Sequence, residues 1–179
     1  NQVSLKTVHT TKFKNSLIII NFMAAASAKN FAKLALLADL LENSSQHYDS
    51  ERKLSRKLSQ MYGANFGTTV LRYGNLHVLR VKISFPNDEY LPGKINLTQE
   101  IIGFLKDVIE SPLIIADQFK KNYFRHHQNN LINYLNAIPE NKSYYATIQL
   151  QKLYYGAYLD HGSFLYGTPE DLKQLDGKS

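Results

Sequence analysis

The segment Lys29–Glu42, KNFAKLALLADLLE, constrains the fold more than any other part of the chain. Its residues are mostly strong helix formers, and Phe31, Leu34, Ala35, Leu37, Ala38, Leu40 and Leu41 leave almost no side of the helical wheel polar. A surface helix carries a single apolar stripe. All-round apolarity needs cover on several sides, so this segment reads as a central buried helix around which the other elements must pack.

On the N-terminal side, Val3, Leu5 and Thr7 alternate with polar neighbours and predict an outer strand. After the turn TTKFKN, the continuous β-branched run Ser16–Ala25, SLIIINFMAA, predicts a buried strand. Ser27 or Asn30 can cap the central helix, and Asn43-Ser44-Ser45 ends it. A second helix starts at Asp49-Ser50, places Leu54, Leu58 and Met61 on one face and Arg52, Lys53, Arg56 and Lys57 on the other, and stops at Gly63. Ala64–Tyr73 and Leu76–Phe85 are strands joined by Gly74-Asn75, a two-residue hairpin signal. Leu79, Val81, Ile83 and Phe85 alternate with Arg80, Lys82 and Ser84, the pattern of a sheet buried on one face and wet on the other.

Asn96 with Gln99 resembles a capping box for a third helix, which Ser111-Pro112 breaks. A long helix from about 117 to 138, a further helix over 142–155 stopped by Gly156, and a last one capped by Thr168-Pro169-Glu170-Asp171 complete the order. The expected class is α+β, a two-layer sandwich of mostly antiparallel sheet packed against helices, with residues 1–179 as one domain and no internal repeat or linker.

Composition narrows the functional classes. The chain has 179 residues, 44% of them hydrophobic, enough for a real core and too apolar for a disordered chain. No run approaches the roughly 18–20 apolar residues of a membrane span, and the strand-like start gives the expectation of no secretory leader. The absence of cysteine removes disulfides, thiolate metal sites and cysteine nucleophiles. Together these give the expectation of a cytoplasmic protein. The net charge of +6 is unevenly spread, with no acidic residue in 1–38 or 52–87. That balance suits a polyanion, but the lysines and arginines are scattered at helix and strand intervals and read as a solvated surface, so nucleic acid is not the expected partner.

Four stretches resemble one family: KFKN before the IIINF strand, LALLADLLENSS on the central helix, MYGANFGTTV at the start of the hairpin, and GTPEDLKQL near the end. In this order they are similar to the first αβ domain of the pitrilysin, insulinase and processing-peptidase family of zinc metallopeptidases, the inverzincins. The likeness is greatest to a bacterial cytoplasmic branch that lacks the metal site and is encoded beside an active relative. It covers about half of a family subunit, which implies that this chain is a domain of a longer two-domain protein.

The family's motif is H-x-x-E-H on the buried helix, two zinc-binding imidazoles around a general base. The matching positions here read Ala35-Leu36-Leu37-Ala38-Asp39, and the third ligand, a Glu on the following long helix, has no counterpart because no acid occurs from Gln118 to Pro139. A catalytic zinc needs three protein ligands. The resemblance therefore implies a catalytically inactive homologue with no metal and no other cofactor, whose lost-site positions are Ala35, Ala38 and Asp39. It implies a heterodimeric role, helping an active zinc-bearing relative to enclose peptide. Peptide would add as a strand along Asn65-Phe66-Gly67-Thr68, where Gly67 either admits another backbone or marks a bend that protects the edge.

Two other readings remain: a stand-alone peptide or polyanion binding module using the basic surface, and a metal-dependent endopeptidase with an atypical site. The histidines, His9, His47, His77, His126, His127 and His161, contain no helical i, i+4 pair. The adjacent His126 and His127 point about 100° apart on a helix and read as surface or interface residues, and His161 is expected to order its loop. No G-x-S-x-G elbow surrounds Ser163, and no Gly-rich phosphate loop occurs. Asp39, the single polar residue among the lost positions, would need a partner if buried, with Arg125 or His126 on the long helix expected.

Overall fold

The computed structural model describes residues 3–156 and 163–178. Among the described residues the strands and α-helices follow in the order β1 (Asn15–Ala25), α1 (Ala28–Asn43), α2 (Glu51–Gln60), β2 (Asn65–Tyr73), β3 (Leu76–Pro86), α3 (Leu97–Glu110), β4 (Ile114–Ile115), β5 (Gln118–Phe119), α4 (Lys121–Ala137), α5 (Lys142–Tyr155) and α6 (Pro169–Lys173). β1, β3 and β2 form an antiparallel sheet in that order, with Ile18 opposite Ile83 and Ile83 opposite Phe66. The result is the expected α+β arrangement of antiparallel sheet and helices.

The local signals act as their chemistry requires. The Asn96 side chain accepts the Gln99 N–H at the start of α3, and Asn141 accepts the Tyr144 N–H at the start of α5. Thr168 and Asp171 make both bonds of a capping box, with Pro169 in the first turn. Gly74 supplies the positive φ of the β2–β3 hairpin. Ser27 stands at the N-cap of α1 but makes no side-chain cap bond.

α1 lies against β2 and β3 and touches α4 and α6. Phe31, Ala32, Ala35, Leu36, Ala38, Leu40 and Leu41 are all buried. All of these but Phe31 join Phe66 and Val70 of β2, Leu79, Val81, Ile83 and Phe85 of β3, and Ile101, Phe104 and Leu105 of α3 in one contiguous apolar cluster. Leu34 and Leu37 pack more loosely, in a groove with Phe119, Phe124 and Leu175. On the other face of β3, Arg80, Lys82 and Ser84 stay accessible, as alternation predicts. Val78 on that face is buried, flanked in register by Met23 and Leu71.

Three expectations are corrected. The segment around Val3–Thr7 is not a strand: Val3 is 97% exposed and no ladder includes it. β1 is not a buried strand but an edge strand, with Leu17, Ile19 and Phe22–Ala25 exposed, because α1 covers β2 and β3 instead. The long helix begins at Lys121 rather than near 117. The preceding residues form a β4–β5 hairpin whose turn residues Ala116 and Asp117 both take positive φ. Without glycine or asparagine at the turn, that hairpin left no sequence signal.

The core also contains His77, 1% exposed, edge-on to Phe31 with ring centroids 4.8 Å apart and with neither ring nitrogen hydrogen-bonded. Burial, reinforced by the Arg72 charge, pushes its pKa below the ordinary 6.5. The unfolded chain therefore protonates His77 first as pH falls, and stability held in full above about 6.5 is lost below it. Chemical denaturation from pH 7.5 to 5 should show the stability of wild type declining more steeply than that of His77→Leu, and parallel curves would refute the assignment.

Candidate functional site

The site grows from the helical spacing of α1. Ala35, Ala38, Asp39 and Glu42 recur at the three- and four-residue intervals that share a helix face. That face borders Thr68, Thr69 and Val70 of β2 and Asn130, Leu131 and Tyr134 of α4, with Tyr166 from the segment before α6. Together they line an open cleft of ≈ 460 Å³. The expected lost-site positions Ala35, Ala38 and Asp39 thus share one cleft with Thr68 of the expected edge strand.

The other edge-strand residues divide. Phe66 points into the core against Phe104, with centroids 5.2 Å apart, so only its backbone is open to the edge. Asn65 is exposed at the start of β2. Gly67 lies beside Glu42, and a Cβ there would sit 3.8 Å from Glu42 Oε1, an ordinary contact. β2 is the outer strand of its sheet, and its free edge at Thr68 is engaged by Glu42, whose Oε2 accepts the Thr68 N–H at 3.0 Å and lies 3.0 Å from the Thr68 hydroxyl oxygen. The single proton of the Thr68 hydroxyl has its shorter contact with the Ala38 carbonyl of α1, at 2.7 Å.

Asp39 has a partner on α4, one residue beyond the expected His126. His127 Nδ1 lies 2.7 Å from Asp39 Oδ2, and an ionised Asp39 makes Nδ1–H the donor. His126 and His127 are expected to be surface or interface residues, whereas His127 is 2% exposed and packed inside the fold, with Tyr123 against its ring at 4.3 Å. His126 takes the outward position and meets Asn130. The 100° turn between adjacent helical residues puts only one of the two imidazoles toward α1.

The Tyr123 hydroxyl donates to the Leu40 carbonyl at 3.1 Å and adds a second tie between the helices. Burial above all, with Asp39 and Glu51 nearby, pushes its pKa up to about 12. His127 Nε2 is buried without a hydrogen bond, 3.9 Å from Glu51 Oε1. An imidazole so enclosed holds a proton but does not present it to a substrate. Among the described residues no three His, Asp or Glu side chains group to hold a metal ion. Ser163 is described, whereas His161 lies outside the described residues.

Sequence reasoning missed Glu42, Asn130, Tyr134 and Tyr166. The i, i+3, i+7 spacing of Glu42 from Asp39 and Ala35 was a usable signal. The tyrosines reach the cleft only through the approach of α4 and the 164–166 segment, where Tyr134 and Tyr166 lie 5.8 Å apart.

No family model matches the chain. Over 143 residues it is 24% identical to the Bacillus subtilis (strain 168) protein named "Probable inactive metalloprotease YmfF", covering 80% of this chain and 34% of that protein. It also superposes on the crystal structure of a conserved protein from Enterococcus faecalis V583, with TM-score 0.89 and 33% identity over 95% of this chain and 40% of that one. The chain therefore spans well under half the length of either protein. No helix among the described residues is long and apolar enough to cross a membrane.

Asp39→Ala strands a buried imidazole and should cost about 1–3 kcal/mol. In a double-mutant cycle with His127→Leu, followed by urea unfolding, the two changes should be non-additive by at least about 0.5 kcal/mol. Additivity would show that the pair does not tie α1 to α4.

Proposed function

We propose that this chain is a non-catalytic, peptidase-like αβ domain of the pitrilysin type, part of a longer subunit that pairs with an active zinc-bearing relative and contributes one wall of its peptide chamber. The observation that carries the reading is the content of the cleft. Ala35 and Ala38 line it where the family's motif would place an imidazole and a carboxylate, and Asp39, at the second imidazole's position, is bonded to His127. The cross-link that a metal would provide between the central and the long helix is then supplied by a carboxylate–imidazole pair. The likeness to a protein named as an inactive metalloprotease supports the same conclusion.

The remaining activity is binding. A cleft beside a free strand edge suits an extended peptide held chiefly by backbone hydrogen bonds. A cytoplasmic setting follows from the same family reading.

Two measurements test this. The full-length protein, purified without a partner, should contain well under one zinc per chain by elemental analysis and should not cleave peptides. Stoichiometric zinc with chelator-sensitive cleavage would overturn the non-catalytic reading. Untagged protein isolated from its own cell should elute with a zinc-containing relative, and elution as a lone subunit would remove the pairing.

A further inference from the structure

The carboxylate of Glu42 is placed unlike any other acid in the described chain. It sits in the last turn of α1, at the negative end of the helix dipole, where no basic residue offsets it. No lysine, arginine or histidine pairs with it among the described residues, although the chain carries a net charge of +6. A second negative charge at the negative end of a helix is unfavourable unless something compensates it.

The Thr68 N–H donates to Oε2 at 3.0 Å, with the Thr68 hydroxyl beside it, and Oε1 accepts no bond among the described residues. Gly67 puts no side chain beside that oxygen, and Tyr134 and Tyr166 line the same cleft. Asp39, the other carboxylate of the cleft, is already engaged by His127. What the cleft offers is thus one uncompensated carboxylate oxygen, with two tyrosine rings, a residue type that attracts cations, lining the same cleft.

Glu42 also stands where a bound peptide would have to bond. The Thr68 N–H points away from β3, toward the free edge, and Glu42 occupies it as the carbonyl of an added strand would. A neutral peptide pairing with β2 must displace the carboxylate and leave its charge without the Thr68 N–H donor.

We infer that the cleft selects extended peptides bearing a lysine or arginine side chain, with Glu42 as the specificity-determining residue. The peptide's cation pairs with Glu42 between the tyrosine rings, and the carboxylate then releases the Thr68 N–H to the peptide carbonyl. This rests on the peptide-binding reading above and adds the class of side chain that is recognised. The selection runs against the protein's own positive charge, so general electrostatics cannot imitate it.

Fluorescence anisotropy with three labelled extended peptides, alternating valine with lysine, glutamine or glutamate, tests the inference. Wild type should bind the lysine peptide about tenfold or more tighter than the glutamine peptide. Glu42→Gln, nearly isosteric, should remove that preference while still binding the glutamine peptide. An amide NMR titration of wild type gives a readout that does not depend on the variant folding: the Thr68 resonance should shift with the lysine peptide. Equal affinity for lysine and glutamine peptides, a preference unchanged in Glu42→Gln, or an unmoved Thr68 resonance would each overturn the selection and leave peptide binding standing. If wild type bound none of the three, the peptide-binding reading would fall and the selection with it.

Discussion

A helix with apolar side chains on nearly all sides cannot face water, and the described fold is arranged to spare α1 that contact. β2 and β3 cover one side of it, while α4 and α6 touch it elsewhere. Each fully buried leucine or phenylalanine contributes on the order of 1.5–3 kcal/mol of transfer free energy. Phe31, Leu36 and Leu40 of α1 are therefore central to the stability of the core. The small residues matter in a different way, because Ala35 and Ala38 leave room for a cleft where larger side chains would have filled it.

Against that apolar background the polar ties between α1 and its neighbours stand out. Asp39 to His127, Tyr123 to the Leu40 carbonyl and Thr68 to Glu42 all leave the last turns of the one helix. Buried or half-buried polar groups cost stability unless satisfied, so these bonds fix the approach of α4 and β2 to α1 more specifically than apolar packing can. His77 breaks that economy, buried with neither nitrogen bonded, and makes the native core sensitive to acid.

Several features were legible before any coordinates. The burial of most apolar residues of α1, the β2–β3 hairpin at Gly74 and the caps at Asn96 and Thr168 each follow from local chemistry, in which propensity, turn geometry and pattern agree. The failures share a cause as well. Val3, Leu5 and the run through β1 have the composition of strands and of core, but whether a strand pairs or is covered depends on neighbours that no local pattern specifies. The Ala116-Asp117 turn is imposed by the pairing of Ile114 with Phe119 and Ile115 with Gln118, against the preferences of its own residues.

What the sequence determined by itself was the central helix, its periodicity, and the absence along it of the imidazoles and carboxylate of a zinc-peptidase motif. Those are properties of residue type and spacing, readable without a third dimension. Only the tertiary structure decided that Asp39 meets His127 rather than His126, since a one-residue step on α4 turns a side chain by about 100° and the choice depends on how that helix is rotated against α1. It likewise decided that Glu42 reaches across to the edge of β2, a contact between residues 26 positions apart that exists because α1 packs on that strand.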